Sequence, residues 1–127
     1  MIDHRIIDSN SLTLSKQGVT VSIQLPWYRA LPLSVISLDK IEVDGQSFDV
    51  PELTFELNGK KIKVKELQDH FDEFWFVLDS AVVHLDECVV KAGESHRVFV
   101  AFTVKPPYLS GFTLPVVCEK DIVAVEV

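Results

Sequence analysis

Residues 53–65 read LTFELNGKKIKVK, and this stretch predicts a β-hairpin. Asn58-Gly59 is a strong signal for a two-residue type I′ turn, because both turn positions need a positive φ angle that Asn and Gly adopt at low cost. Pairing Leu57 with Lys60 sets the register of the two strands. The resulting pairs are Phe55–Ile62 and Leu53–Val64 on the apolar face, and Glu56–Lys61 and Glu52–Lys65 on the polar face. The hydrophobic pattern and the charge pattern therefore select the same pairing.

The same alternation continues on both sides of this hairpin. Residues 19–25 read VTVSIQL, which is the period-two pattern of a half-buried strand, and Pro26 ends it. Asp44-Gly45 predicts a second hairpin turn. Its register pairs Val43 with Gln46, Ile41 with Phe48 and Lys40 with Asp49.

Later runs rich in β-branched and aromatic residues predict further strands, at residues 75–78, 81–85, 98–104 and 122–127. The helix candidate is Lys65–Phe71, about two turns long. Many short strands without a βαβ rhythm predict an all-β fold, an antiparallel two-sheet β-sandwich of about eight strands, immunoglobulin-like or jelly-roll-like. With 127 residues and no linker or repeat, residues 1–127 are expected to form a single domain.

Composition excludes several classes of function. Twelve Lys and Arg residues against 19 Asp and Glu give a net charge of −7, which argues against a nucleic-acid or anionic-membrane partner. The longest apolar runs, such as residues 74–78, are far shorter than the ~20 residues that span a bilayer. Two cysteines and no signal-peptide pattern lead us to expect a cytoplasmic protein.

Candidate catalytic and metal-binding residues are few. Asp69-His70-Phe71-Asp72-Glu73 contains metal-ligand types, but consecutive side chains diverge, so a polar turn is expected. His84 is expected to be a half-buried strand residue, and Cys88 and Cys118 small core or strand residues. Lys60–Lys65 is expected to be a solvated sheet face. The sequence contains no motif for acyl transfer or nucleotide binding, and we expect no metal ligand or cofactor in this chain.

Three apolar segments lie where polar turns are expected. They read PWYRALPL at 26–33, PPYLSGFTLP at 106–115 and FWF at 74–76. Trp, Tyr and Arg are the residue types that dominate protein–protein interfaces. From the residues alone, these segments either contact a partner or fold back to close the ends of the sandwich.

The octapeptide WYRALPLS at 27–34 resembles a motif of the small β subunit of bacterial C-glycoside deglycosidases, which cleave the carbon–carbon bond between a sugar and an aromatic aglycone. The likeness continues in order along the chain, from Val19 to Pro115. It includes the hairpin at 41–45, the hairpin at 54–67, Trp75, and the late strand and loop at 98–109.

This resemblance implies an enzyme of two subunits. The α subunit of the family is similar to the TIM barrels of sugar-phosphate isomerases and epimerases, and holds a divalent, manganese-like metal and the catalytic base. The substrate is a C-glucoside oxidised to a ketone at C3 of the sugar, a 3-oxo-C-glycoside. The ketone acidifies the C2 proton, so that metal-assisted β-elimination breaks the C–C bond.

The resemblance places no catalytic residue in this chain, which would be the noncatalytic, accessory subunit of a carbon–carbon lyase and part of an αβ hetero-oligomer. It implies a role at the partner interface or pocket rim for six residues. These are Trp27, Tyr28, Arg29, Leu31, Tyr108 and Phe112.

Two alternatives of other classes stay open on the sequence. One is a stand-alone carbohydrate-binding β-sandwich, with Trp27, Tyr28 and Trp75 as a flat stacking platform for sugar rings. The other is a metal-dependent hydrolase that uses Asp69, His70, Asp72 and Glu73. Exposed platform aromatics would favour the first alternative, and a bound stoichiometric metal the second.

Overall fold

The computed structural model describes residues 7–15, 18–25, 30–76, 79–85, 90–105, 111 and 113–126. Twelve strands are formed by these residues, and four of them are only two residues long. The strands are β1 (Ile7–Ser15), β2 (Gly18–Gln24), β3 (Leu31–Pro32), β4 (Ile36–Val43), β5 (Gln46–Ser47), β6 (Thr54–Leu57), β7 (Lys60–Lys63), β8 (Phe74–Trp75), β9 (Ser80–Leu85), β10 (Ser95–Val104), β11 (Leu114–Val123) and β12 (Val125–Glu126). Three 3₁₀ helices cover Leu33–Val35, Val50–Glu52 and Val64–Asp69.

The strands form two main sheets and a small ribbon. One sheet has six strands in the order β12-β1-β2-β9-β6-β7, and the other has four in the order β11-β10-β4-β5. β3 and β8 pair as a separate two-stranded ribbon. Of the pairings that the described residues make, β1 with β12 is parallel and the others are antiparallel. The predicted all-β, antiparallel fold is confirmed, and its two sheets share one core in the manner of a β-sandwich.

That core follows from the alternation of side chains. Val19, Val21 and Ile23 of β2 are buried, as the pattern at 19–25 predicts. On the other sheet, every second residue of β10 is buried in the same core. Cys118 of β11 is also buried there, as expected for a small apolar residue. Cys88 lies outside the described residues.

Both predicted hairpin turns are present. Asn58 and Gly59 have φ angles of 54° and 79°, and Asp44 and Gly45 have 50° and 82°, as a type I′ turn requires. In the β6–β7 hairpin the observed register pairs Phe55 with Ile62 and Glu56 with Lys61. It continues beyond the strands, where the Val64 amide donates to the Leu53 carbonyl at 3.0 Å and Lys65 Nζ lies 2.8 Å from Glu52 Oε1.

The second hairpin is shorter than predicted. Val43 pairs with Gln46 as expected, but β5 ends at Ser47, so the ladder does not reach the predicted Ile41–Phe48 and Lys40–Asp49 pairs. The chain instead enters the 3₁₀ helix Val50–Glu52, in which Pro51 lacks the amide hydrogen that a ladder needs. Lys40 Nζ pairs with Glu42 on its own strand at 2.9 Å.

Three further boundaries differ from prediction. The helix candidate at 65–71 is the 3₁₀ helix Val64–Asp69, which tighter i→i+3 hydrogen bonding favours in a segment this short. Of the strand predicted at 75–78, Trp75 lies in β8 and Phe76 follows its end, whereas residues 77–78 lie outside the described residues. The last long strand begins at Leu114, well before the predicted Ile122, because β11 is an edge strand that tolerates the exposed Pro115.

In the described part of the chain, we find no helix with the length and apolar character needed to cross a bilayer.

Candidate subunit interface

Four of the six interface candidates lie at residues 27–31, just before or at the start of β3, and the described part of that region is held by several contacts. Leu31 is the first residue of β3, is 1% exposed and belongs to the core of this chain. Its side chain therefore packs inside the domain. Trp27, Tyr28, Arg29, Tyr108 and Phe112 lie outside the described residues, and their role at an interface stays a prediction.

Backbone hydrogen bonds hold the segment at 70–76 against the segment at 31–34. Leu31 pairs with Trp75 and Pro32 with Phe74 in the β3–β8 ribbon. Next to the ribbon, in the residues that follow β3 and precede β8, the Leu33 amide donates to the Glu73 carbonyl at 2.9 Å. The Ser34 amide donates to the His70 carbonyl at 3.2 Å. The two segments are thus linked at four positions. Side chains on the outside of this ribbon are presented on a fixed backbone.

Trp75 anchors the ribbon to the body of the domain. Its side chain is 0% exposed and lies between the two sheets, with ring centroids 5.5 Å from Phe55 of β6 and 6.4 Å from Phe102 of β10. The contact with Phe55 is edge-to-face, a favourable geometry for aromatic rings. The indole Nε1–H donates to the Asp79 carbonyl at 2.7 Å, which satisfies its polar atom.

This burial corrects the hypothesis of a carbohydrate-stacking platform. A platform needs a ring face open to solvent, and Trp75 has none. The other two proposed members, Trp27 and Tyr28, lie outside the described residues. The stand-alone carbohydrate-binding hypothesis thereby loses the one platform residue that the structure describes.

The residues next to Trp75 have the opposite environment. Phe74 is 42% exposed and Phe76 is 54% exposed, because alternate side chains of an extended segment point to opposite sides. Phe71, just after the 3₁₀ helix Val64–Asp69, is 74% exposed. The sequence pattern singled out Phe74 and Phe76 as an unusual apolar segment but missed Phe71, whose acidic neighbours made it look like part of a polar turn.

The acidic stretch at 69–73 contains residue types that bind metals, and its side chains can be compared with that hypothesis. Within the described residues, no group of three or more His, Cys, Asp and Glu side chains is arranged to hold a metal ion. Glu73 instead accepts from Lys60 Nζ at 2.7 Å, and this pairing raises the pKa of Lys60. The hypothesis of a hydrolase with Asp69, His70, Asp72 and Glu73 as ligands therefore has no geometric support.

The lysine-rich strand β7 and its continuation lie in solvent, as predicted. The lysines from Lys60 to Lys65 are exposed, and two of them bind the neighbouring Glu52. Lys65 Nζ contacts the Glu52 carboxylate, which lowers the pKa of Glu52, and Lys63 Nζ donates to the Glu52 carbonyl at 2.9 Å. Such exposed pairs contribute little to stability.

Two histidines are used in structural contacts. His84 on β9 is half-buried, as predicted, and its Nε2 lies 2.8 Å from Glu56 Oε1 of the adjacent strand. Glu56 therefore bonds to His84, although its backbone is in register with Lys61. His96 on β10 is 7% exposed, with Nδ1 at 2.5 Å from Asp44 Oδ2 and Nε2 at 2.9 Å from the Lys91 carbonyl.

A shallow groove of about 340 Å³ lies beside the same region, between the first and third 3₁₀ helices and β4. Two hydroxyls in its lining are already occupied, since Ser37 and Thr103 both donate to Asp39. Its cations are Lys65, which pairs with Glu52, and Lys105. Among the described residues that line this groove, we find no nucleophile and base in hydrogen-bond contact.

Comparison with known proteins identifies a family that this sequence matches. Residues 1–108 match a family model described as C-glycoside deglycosidase beta subunit. The 3'-dehydrocarminate deglycosidase beta subunit of a Microbacterium species is 41% identical over 109 residues, which are 86% of this chain and 82% of the relative. The C-glycoside deglycosidase beta subunit of Microbacterium trichothecenolyticum is 38% identical with the same coverage. That of Arthrobacter globiformis is 36% identical, covering 86% of this chain and 83% of the relative.

Proposed function

This chain belongs to the C-glycoside deglycosidase beta subunit family, and we propose that it is the noncatalytic subunit of a complex that cleaves 3-oxo-C-glycosides. The observation that carries the proposal is the family match over residues 1–108. The name of the family makes the chain one subunit of an enzyme with a partner subunit. The proposal adds that the partner is an α subunit with a TIM-barrel fold, which contains the active site.

The reaction proposed for the complex is a β-elimination. A ketone at C3 of the sugar acidifies the proton on C2, and a base of the α subunit removes it. The electron pair left on C2 forms the C1–C2 double bond, the bond from C1 to the aryl carbon breaks, and the aryl carbon takes up a proton. A relative named for 3'-dehydrocarminate supports a substrate oxidised at that position.

A divalent, manganese-like metal is assigned to the α subunit. When bound there, it would supply positive charge near the oxygen on which negative charge develops. The described residues of this chain offer no set of metal ligands. What this chain supplies is a rigid β-sandwich that covers part of the α subunit and shapes the rim of its pocket.

Co-expression tests the proposal. A tagged form of this chain, expressed together with the α subunit of the same organism, is expected to co-purify with it in a fixed molar ratio and to release aglycone from a 3-oxo-C-glucoside. In D₂O the aglycone should carry one deuterium on the carbon that had been bonded to the sugar, because elimination protonates that carbon. Failure of the two chains to associate, or aglycone without this deuterium, would overturn the proposal.

A further inference from the structure

Three phenylalanines, in β8 and within three residues of it, are the aromatic side chains that the described residues expose most. We name Phe71, Phe74 and Phe76 the aromatic ridge. They lie within six residues of the chain, next to the buried Trp75. The largest exposed apolar patch of a monomer often has a function.

We infer that the aromatic ridge is the centre of the surface on which this chain binds its partner subunit, an inference that rests on the proposed function. Aromatic residues are enriched at the centres of protein interfaces, where their removal has the largest effects. The partner surface is expected to be an apolar patch rimmed by Lys and Arg side chains. Three features support this inference: the rigidity of the backbone that carries the ridge, the apolar area of the ridge and the charges beside it.

The ridge is held by a backbone that has little freedom to collapse onto the domain. Trp75 fixes the ribbon in the core, and the Leu33–Glu73 and Ser34–His70 hydrogen bonds fix the segment that leads to it. On the far side, the Asp79 amide donates to the Phe76 carbonyl at 3.0 Å. A preorganised surface loses less conformational entropy on binding than a flexible loop does.

The area of the ridge suits the centre of an interface. With a phenylalanine side chain burying about 150–250 Å² when covered, the three exposed fractions amount to an apolar surface on the order of 300 Å². A stable interface covers about 800 Å² on each partner, of which a central part is strongly apolar. The ridge therefore supplies the apolar centre, and the surrounding polar residues supply the rim.

Charge distinguishes a different partner from a second copy of this chain. Asp69 and Asp72 are exposed beside the ridge, and the nearby cation, Lys60, is already paired with Glu73 at 2.7 Å. A symmetric dimer through the ridge would bring these carboxylates of one copy against those of the other, which is unfavourable between chains of net charge −7. A partner with basic residues around an apolar patch avoids this repulsion. The negative rim thus favours a heterologous partner.

The test measures binding of purified variants to the purified α subunit by calorimetry. The triple variant Phe71→Ser/Phe74→Ser/Phe76→Ser is expected to raise the Kd at least about 30-fold. The matched control is Val123→Ser/Val125→Ser, which removes exposed apolar side chains of β11 and β12 and should leave the Kd within about twofold. A triple variant that binds within threefold of wild type would overturn the inference.

A second variant keeps the test valid if the triple variant folds poorly. Asp69→Lys/Asp72→Lys changes only exposed side chains, and is expected to raise the Kd about tenfold in 150 mM salt and less in 500 mM salt. An unchanged Kd for this variant would contradict the expectation that Lys and Arg side chains surround the apolar patch of the partner.

The outcomes separate this inference from the proposed function. If wild-type chain binds the α subunit and the complex is active, while both variants bind equally well, only the inference is wrong. If wild-type chain does not bind at all, both are wrong. If sedimentation shows that the isolated wild-type chain dimerises and the triple variant does not, the ridge binds a second copy and the inference is overturned.

Discussion

His96 joins two turns of the chain at one end of β10. Its Nδ1 contacts the Asp44 carboxylate in the β4–β5 turn, and its Nε2 contacts the Lys91 carbonyl. Neither acceptor carries a hydrogen, so both ring nitrogens must donate, and the contact is complete only when His96 is an imidazolium. The hydrogen bond to the Lys91 carbonyl, and then the Asp44 carboxylate, raise the pKa of His96 against the effect of its burial.

Stability is predicted to depend on pH through this contact. A histidine pKa that is higher in the folded state stabilises the fold fully below the unfolded value of about 6.5, and this contribution is lost as pH rises through the folded pKa. The replacement His96→Gln should therefore lower the free energy of unfolding by about 1–2 kcal/mol at pH 5 and by less than half of that at pH 9. Urea unfolding at both pH values measures the difference.

Asp44→Asn is the matched variant, because Asn-Gly suits the type I′ turn equally well and only the charge is removed. It should remove most of the same pH dependence. The hydrogen bond from His96 and that from the Arg97 amide also lower the pKa of Asp44, so its own contribution is lost only as pH falls below the ordinary Asp range. Equal losses for His96→Gln at pH 5 and pH 9 would contradict the imidazolium assignment.

Trp27 and Arg29 carry a prediction that concerns the partner. If their segment contacts the α subunit, Trp27→Ala and Arg29→Ala should each raise the Kd for that subunit by at least tenfold, as interface anchors do. Calorimetry with the α subunit measures this effect, with Val123→Ala as the control at an exposed position of similar apolar character. Unchanged binding and unchanged aglycone release in both variants would show that these residues lie away from the interface.

At the scale of elements, two successive residues of β8 have opposite environments: Phe74 is exposed to solvent and Trp75 is buried in the core. Trp75→Ala should lower the free energy of unfolding by about 3–5 kcal/mol, because it leaves a large cavity between the sheets next to Phe55 and Phe102. Phe74→Ala in the same two-residue strand should cost less than about 1 kcal/mol, since its side chain is partly in solvent. Denaturant unfolding compares the two variants, and similar losses would contradict the anchoring role of Trp75.

Elements with local signals could be predicted from the sequence, and elements made by distant contacts could not. The β6–β7 hairpin was predicted in its full register because alternation, charge and the Asn58-Gly59 turn agree over 13 adjacent residues. β1 was missed because residues 8–11 are all polar and its register shifts between Ile7 and Leu12. One of its partners is β12, more than 100 residues away in the chain.

In the candidate site, too, features with a local sequence signal could be predicted and features made by distant residues could not. Phe74 and Phe76 stood out in the sequence because apolar residues replaced a polar turn, but the burial of Trp75 between them depends on Phe55 and Phe102, which come from separate strands. The buried contact of His96 with Asp44 joins residues 52 positions apart and left no local pattern. Alternation within one strand predicts its apolar face, but the residues that pack against that face come from other strands.

At the scale of the whole molecule, one acidic β-sandwich combines a well-packed core with an exposed aromatic ridge. The core explains why the chain folds. Family membership makes the chain one subunit of an enzyme complex. In the proposed function, the β-sandwich is the rigid support for the surfaces that meet the α subunit.

Titration of the α subunit with this chain tests that account most directly. The rate of aglycone release from a 3-oxo-C-glucoside is measured at a fixed concentration of α subunit, with manganese present. The account predicts that the rate rises with added chain, becomes constant at a fixed molar ratio, and is zero for this chain alone. A rate that does not change with added chain, or aglycone release by this chain alone, would contradict it.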